Sequence, residues 1–143
     1  ETPRAALLPV LHLLQKEFRW LSPPVQRAVA FRLKMSPAEV HRVVEFYSLL
    51  RRRFAGRHVI QVCRSLPCEL AGARRIVEAL CAKLGIGPGK MTPDGRFAVE
   101  EVECLGWCHK APVVQVDDGD YLDRMTPEDA RELLEKLEKP RHE

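Results

Sequence analysis

Apolar residues recur at helical spacing through the first third of the chain. Leu7, Val10, Leu11, Leu14 and Phe18 share one face, Val25, Val29 and Leu33 a second, and Val40, Val43, Val44, Tyr47 and Leu50 a third. Three helices are predicted, the first from about Pro3 to Phe18 with Pro9 as a kink or restart point. A hydroxyl residue followed by Pro marks each start, at Thr2-Pro3, Ser22-Pro23 and Ser36-Pro37, and again at Thr126-Pro127 near the end of the chain. The hydroxyl can accept from a first-turn amide, and Pro gives up an N–H that has no partner there. Ser36 with Glu39 fits a capping box, and Thr126 with Asp129 resembles one with a shorter acid. Arg51-Arg52-Arg53 is predicted to end the third helix, where positive charge suits the dipole. Residues 1–55 therefore read as a small three-helix bundle.

After Gly56 the period changes. His58 to Val62 reads as an apolar strand delivering Cys63, and Ile76, Val77, Leu80 and Leu84 mark a helix stopped by Gly85. Asp94-Gly95 signals a turn into a strand from Phe97 to Val102, and Asp118-Gly119 a hairpin joining Val113–Val116 to Tyr121-Leu122. A last helix runs from Pro127 to about Leu137, with Leu133, Leu134 and Leu137 for the core. The order strand, helix, three strands, helix fits an α/β (α+β) sandwich of thioredoxin-like type over residues 56–143.

Composition narrows the classes of function. The 143 residues are 45% apolar and 30% charged, enough to bury a core, and the formal charge of +3 comes from interleaved acids and bases. A basic stripe for nucleic acid is missing, so no nucleic-acid partner is expected. No apolar run approaches the roughly 20 residues needed to span a bilayer, so no direct membrane insertion is expected. The first residue is Glu1 rather than Met, which anticipates a removed leader.

Four of the five cysteines form two close pairs, Cys63 with Cys68 and Cys104 with Cys108, separated by four and three residues. Each pair follows a predicted strand, so two thiolates from each segment can converge. Four convergent thiolates suit a 2Fe-2S cluster or a tetrahedral zinc ion, and two disulfides are a third option that a reducing compartment disfavours. Pro67 and Gly106 allow sharp turns that point backbone N–H groups at sulfur. Cys81 lies on the apolar stripe with Val77 and Leu84 and reads as a small hydrophobe. His12, His41 and His58 sit in predicted helices or a strand and read as surface or satisfied core residues. His109 and Lys110 follow a ligand candidate directly, and with Arg64 they either temper the charge of a thiolate-bound centre or belong to a solvated loop. Gly85-Ile86-Gly87-Pro88-Gly89 follows a helix rather than a strand, which is wrong for a nucleotide cradle.

The run Val102-Glu103-Cys104-Leu105-Gly106-Trp107-Cys108-His109-Lys110-Ala111-Pro112-Val113-Val114-Gln115-Val116, with Cys63 and Cys68 upstream, resembles the thioredoxin-like 2Fe-2S family. Val43-Val44-Glu45-Phe46-Tyr47-Ser48 and Gly85-Ile86-Gly87-Pro88-Gly89 with Thr92-Pro93-Asp94-Gly95 extend the likeness over nearly the whole chain. It departs at Arg19-Trp20, where members commonly carry Gly before the aromatic residue, and at Trp107, where they carry a small residue. A bulky indole between the cysteines either shields the site or meets a partner.

The resemblance implies one 2Fe-2S cluster held by Cys63, Cys68, Cys104 and Cys108, as in the small subunit beside the flavin subunit of NADH:quinone oxidoreductase, respiratory complex I. It further implies that FMN and NAD sit only on that flavin- and NADH-binding partner, and that this chain transfers single electrons with no turnover alone. Related subunits serve NAD-dependent formate dehydrogenases and NAD-linked hydrogenases, and a structural four-cysteine zinc module for assembly is the rival class. The expected address is cytoplasmic, on the inner face of a membrane through the complex, or the mitochondrial matrix.

Overall fold

The structure is a computed structural model and describes residues 2–119 and 121–138. Two compact units divide the chain, Glu1–Ala55 and Gly56–Glu143.

The first unit holds helices α1 (Leu7–Phe18), α2 (Pro23–Arg32) and α3 (Pro37–Phe46). Leu7, Leu11, Leu21, Val29, Ala30, Val40, Val44 and Leu50 form its buried core, with Val10, Leu14, Val25, Leu33 and Val43 packed partly buried against it. Phe18 and Tyr47, expected on the same faces, are exposed because each lies at the end of its helix, where the chain turns away. The starts differ in detail. Ser36 and Glu39 exchange the two hydrogen bonds of a capping box, 3.2 Å to the Ser36 hydroxyl and 3.0 Å to the Glu39 carboxylate. At Ser22 the hydroxyl makes no capping bond, and the start rests on Pro and the Ser22 carbonyl. Thr2-Pro3 opens only a turn, closed by Ala5 N–H on the Thr2 carbonyl, and α1 begins at Leu7. Pro9 thereby falls in the first turn, where its missing N–H costs nothing, so the expected interior kink has no cause.

The third helix ends at Phe46, before the arginine run, because Tyr47 turns to an extended backbone with ψ 107°. The chain is then caught by Gln15, which is buried. Its amide donates to the Leu49 carbonyl at 2.8 Å and its carbonyl oxygen accepts from the Arg51 N–H at 2.6 Å. A side chain from α1 thus satisfies backbone groups that another helical turn would have paired. Gln26 acts similarly, donating to the Leu21 carbonyl at 2.7 Å and meeting His41 Nδ1 at 3.0 Å.

The second unit is a four-stranded sheet with order β2-β1-β3-β4. β1 (His58–Cys63) pairs parallel with β2 (Phe97–Val102) and antiparallel with β3 (Val113–Val116), which forms a hairpin with β4 (Tyr121–Asp123). Asp120 lies outside the described residues. α5 (Ala73–Leu84) packs on β1 and β2, and α6 (Pro127–Glu138) on α5. Ile60, Val62, Ile76, Leu80, Val99, Val114, Ala130 and Leu134 are buried between these layers. Gly85 closes α5 in the left-handed region at φ 67°, the predicted stop. Thr126 and Asp129 form the second capping box, at 2.9 and 3.2 Å. A short helix that periodicity did not predict, α4 (Leu66–Leu70), follows β1 and carries Cys68.

The parallel pairing positions the site. Parallel strands end at the same edge of a sheet, and the register sets Cys63 opposite Val102, each the last residue of its strand. Whatever follows Cys63 and whatever follows Val102 must emerge side by side.

Candidate metal centre

Cys63 closes β1, and Cys68 sits on α4 just beyond; both are buried. Cys104 lies two residues past β2 in irregular backbone, and Cys108 opens a 3-10 turn, Cys108–Lys110; both are exposed. The segments are tied directly. Arg64 N–H extends the parallel ladder by donating to the Val102 carbonyl at 2.9 Å, and Arg64 Nη2 meets Glu103 Oε1 at 2.8 Å. Leu105 N–H reaches across from the second segment to the Cys63 sulfur. The two cysteine segments therefore form one surface.

All five cysteines are free thiols. Cys104 and Cys108 sulfurs are 3.4 Å apart, far beyond the bond of about 2.05 Å in a disulfide. Cys63 and Cys68 share a hydrogen bond between their side chains. Among the described residues no three His, Cys, Asp or Glu side chains surround a single point. Two sulfur pairs suit two metal atoms, each iron taking two thiolates.

Electrostatics agree with a cation-binding centre. Burial raises a thiol, yet at Cys63 the N–H groups of Ser65 and Leu105, with hydrogen bonds from Cys68 and Ser65, outweigh it and hold the group below its ordinary value. Burial pushes the Cys68 thiol up to about 11 against the Val113 N–H, and the neighbouring Cys63 and Cys108 add to the rise. Cys108 is raised first by its hydrogen bond with Cys104, then by burial and by the charge of Cys104 and Cys63. Three thiols thus feel one another, and their mutual repulsion is what bound cations would relieve. Gly106, in the left-handed region at φ 80°, donates its N–H to Cys104 Sγ at 3.3 Å. Backbone donors on Cys63, Cys68 and Cys104 are the hydrogen bonds that sulfur ligands of iron accept. The donor set fits a cluster.

Cys81 stays out of this set. It is buried in α5, and burial followed by the charge of Glu101 pushes its thiol up, as suits an inert small hydrophobe. Lys110 and Arg64 each carry a partner: Lys110 Nζ lies 3.0 Å from Asp123 Oδ2, and Arg64 pairs with Glu103. Neither offers an uncompensated positive charge to the sulfurs. His41 and His58 are engaged elsewhere, His58 Nδ1 with Asp117 Oδ2 at 2.7 Å. Side-chain identity gave no warning of the donors from Ser65, Leu105 and Val113, because they are backbone groups aimed by the fold.

The model of the thioredoxin-like [2Fe-2S] ferredoxin family matches residues 1–138. NADH-quinone oxidoreductase subunit 2 of Thermus thermophilus is 43% identical over 137 residues, which cover 96% of this chain and 76% of that protein. A subunit of the NADH-quinone oxidoreductase of Mycobacterium tuberculosis is 40% identical over 134 residues, 94% of this chain but about half (53%) of its relative's length. A solved NAD+-reducing [NiFe]-hydrogenase in the air-oxidized state superposes with a TM-score of 0.80 at 24% identity, over 92% of this chain and 22% of that one, a likeness of fold alone. On its sequence match and its architecture, the chain belongs to the thioredoxin-like [2Fe-2S] ferredoxin family.

Proposed function

We propose that Cys63, Cys68, Cys104 and Cys108 hold one 2Fe-2S cluster, and that the chain is an electron-transfer subunit of an NADH dehydrogenase-type complex, exchanging single electrons with a flavin on a partner subunit. The observation that carries the reading is the gathering of four thiols as two pairs at the shared end of parallel strands, with backbone N–H groups on their sulfurs. Such a cluster, when bound, takes or gives one electron without making or breaking bonds to substrate. The chain's own residues supply the thiolates, donate hydrogen bonds to them, and bury the first pair while leaving the second exposed.

The names of the relatives support the complex, and a flavin- and NADH-binding partner is its natural electron source. Residues 1–55 serve as a docking domain and residues 56–143 as the cluster domain. Phe31 and Phe46, about four-fifths exposed, and an open groove lined by Leu8, Met35, Val43 and Tyr47 supply apolar surface for docking. No helix among the described residues is long and apolar enough to cross a membrane.

Anaerobic reconstitution of the full chain with iron and sulfide tests the reading. The expected product is coloured, carries iron and acid-labile sulfide in equal amounts, and becomes paramagnetic on uptake of one electron. A colourless protein with one tightly held zinc would end it.

A further inference from the structure

The buried pair is anchored by a strand and a helix, but the exposed pair lies in irregular backbone. Something other than secondary structure must hold it in place. Trp107, adjacent to Cys108, is half-buried and packs against the core of the sheet unit together with Leu105. Lys110 Nζ stands 4.7 Å from the centre of its ring, and the Tyr121 ring meets it edge-on at 5.0 Å. Lys110 is fixed in turn by Asp123 at 3.0 Å, and its carbonyl accepts from Arg124 N–H at 3.0 Å. Trp107's own carbonyl accepts from Lys110 N–H, also at 3.0 Å. Tyr121 and Asp123 both belong to β4. Thus one strand grips the cysteine segment through an indole, an ammonium and a carboxylate.

We infer that Trp107 is a positioning residue, clamped by Lys110, Tyr121 and Asp123, that fixes the Cys104 and Cys108 sulfurs for the cluster. The inference rests on the four-cysteine reading above. An indole held on one side by a cation and on another by an aromatic edge has little freedom to turn. Its neighbour Cys108 inherits that restriction, and Cys104 follows through the 3.4 Å sulfur contact and the Gly106 hydrogen bond. The asymmetry between the pairs gives the clamp its purpose.

The test uses the full chain reconstituted with iron and sulfide, and follows loss of visible absorption to an iron chelator. Trp107→Ala is expected to speed loss on the order of tenfold to a hundredfold, as removal of groups that orient metal ligands does. Trp107→Phe, which keeps an aromatic face for Lys110 and Tyr121, recovers most of the lifetime. Lys110→Met speeds loss about fivefold, the factor corresponding to one cation–π contact, and its surface substitution leaves the melting temperature of the metal-free chain near the parent's. The electron paramagnetic resonance spectrum of the reduced clusters should broaden in the Ala and Met variants, since the sulfurs occupy a wider range of positions. Unchanged lifetimes and line shapes in Trp107→Ala and Lys110→Met would overturn the clamp while leaving the cluster assignment standing. Failure of the parent chain to take up iron and sulfide would instead remove the assignment itself. If Trp107→Ala does not fold, Lys110→Met and Trp107→Phe decide between the same outcomes.

Discussion

Cys63 and Cys68 are each about 1% exposed and stand on a strand end and a helix, whereas Cys104 and Cys108 are exposed on irregular backbone gripped by side chains. The buried pair is rigid because the whole core of the sheet unit holds it. Ile60, Val62, Ile76 and Leu80 cannot move without opening that core. The exposed pair is held by contacts that cost little to break one at a time. A site built this way has a fixed half and an adjustable half, so the same substitution has different consequences in each.

The largest expected contrast comes from removing one thiol from each pair. Cys68→Ala and Cys108→Ala both abolish a stable cluster, because an iron left with one protein sulfur loses half its anchorage to the chain. The metal-free proteins should then part company. Cys68→Ala leaves a void in the core and lowers unfolding free energy by about 1–2 kcal/mol, while Cys108→Ala stays within about 0.5 kcal/mol of the parent. Denaturant unfolding of the two proteins makes the comparison. Equal costs would mean that the first pair owes nothing to the core.

A smaller effect isolates the adjustable half. Gly106 occupies φ 80°, and a Cβ built there meets nothing within 4 Å. Gly106→Ala is therefore opposed by backbone strain alone, about 1 kcal/mol. Relaxing that strain moves the N–H off Cys104. The cluster of this variant should show an altered paramagnetic spectrum and shorter lifetime, with the metal-free unfolding midpoint lowered only slightly. An unaltered spectrum would show that the hydrogen bond at 3.3 Å does not shape the centre.

The same division explains what the sequence disclosed. Strand β1, strand β2, helix α5 and the hairpin are legible because the strands are compact apolar runs bounded by Asp-Gly turns and α5 repeats its apolar positions at helical spacing. The four cysteines are legible because their spacing after two strands has few chemical uses. Helix α4 escaped because five residues, Leu66–Leu70, are too short for a period, and Pro67 in its first turn looks like a turn former. The end of α3 was misplaced because Leu50 continues the apolar spacing although the backbone has already left the helix, and only the buried Gln15 reveals what replaced it. The clamp was illegible for a related reason. Trp107 is three residues from Lys110 but fourteen from Tyr121, and only the fold of the hairpin returns Tyr121 and Asp123 to the indole and the ammonium.

The smallest expected effect lies where the two halves meet. Arg64 follows Cys63, Glu103 precedes Cys104, and their side chains join the segments at 2.8 and 3.1 Å in a setting open to water. Glu103 raises the guanidinium's hold on its proton, first by hydrogen bonding and then by charge. As a mechanical tie this exposed pair contributes little, but its charges oppose each other next to the sulfurs. Arg64→Ala leaves the Glu103 carboxylate alone, which favours the oxidised cluster and lowers the reduction potential. Glu103→Ala leaves the guanidinium alone and raises it. Each shift should be no more than about 40 mV, the equivalent of about 1 kcal/mol for one electron. The double variant should return to the parental value, because removing both charges removes a dipole that was nearly balanced. Potentials measured by redox titration at low and high salt distinguish the outcomes, since a field acting through water fades as the Debye length shrinks. A double variant displaced as far as Arg64→Ala would mean that the guanidinium acts on the buried pair by contact, and the fixed half would then be tuned by its own surface residue.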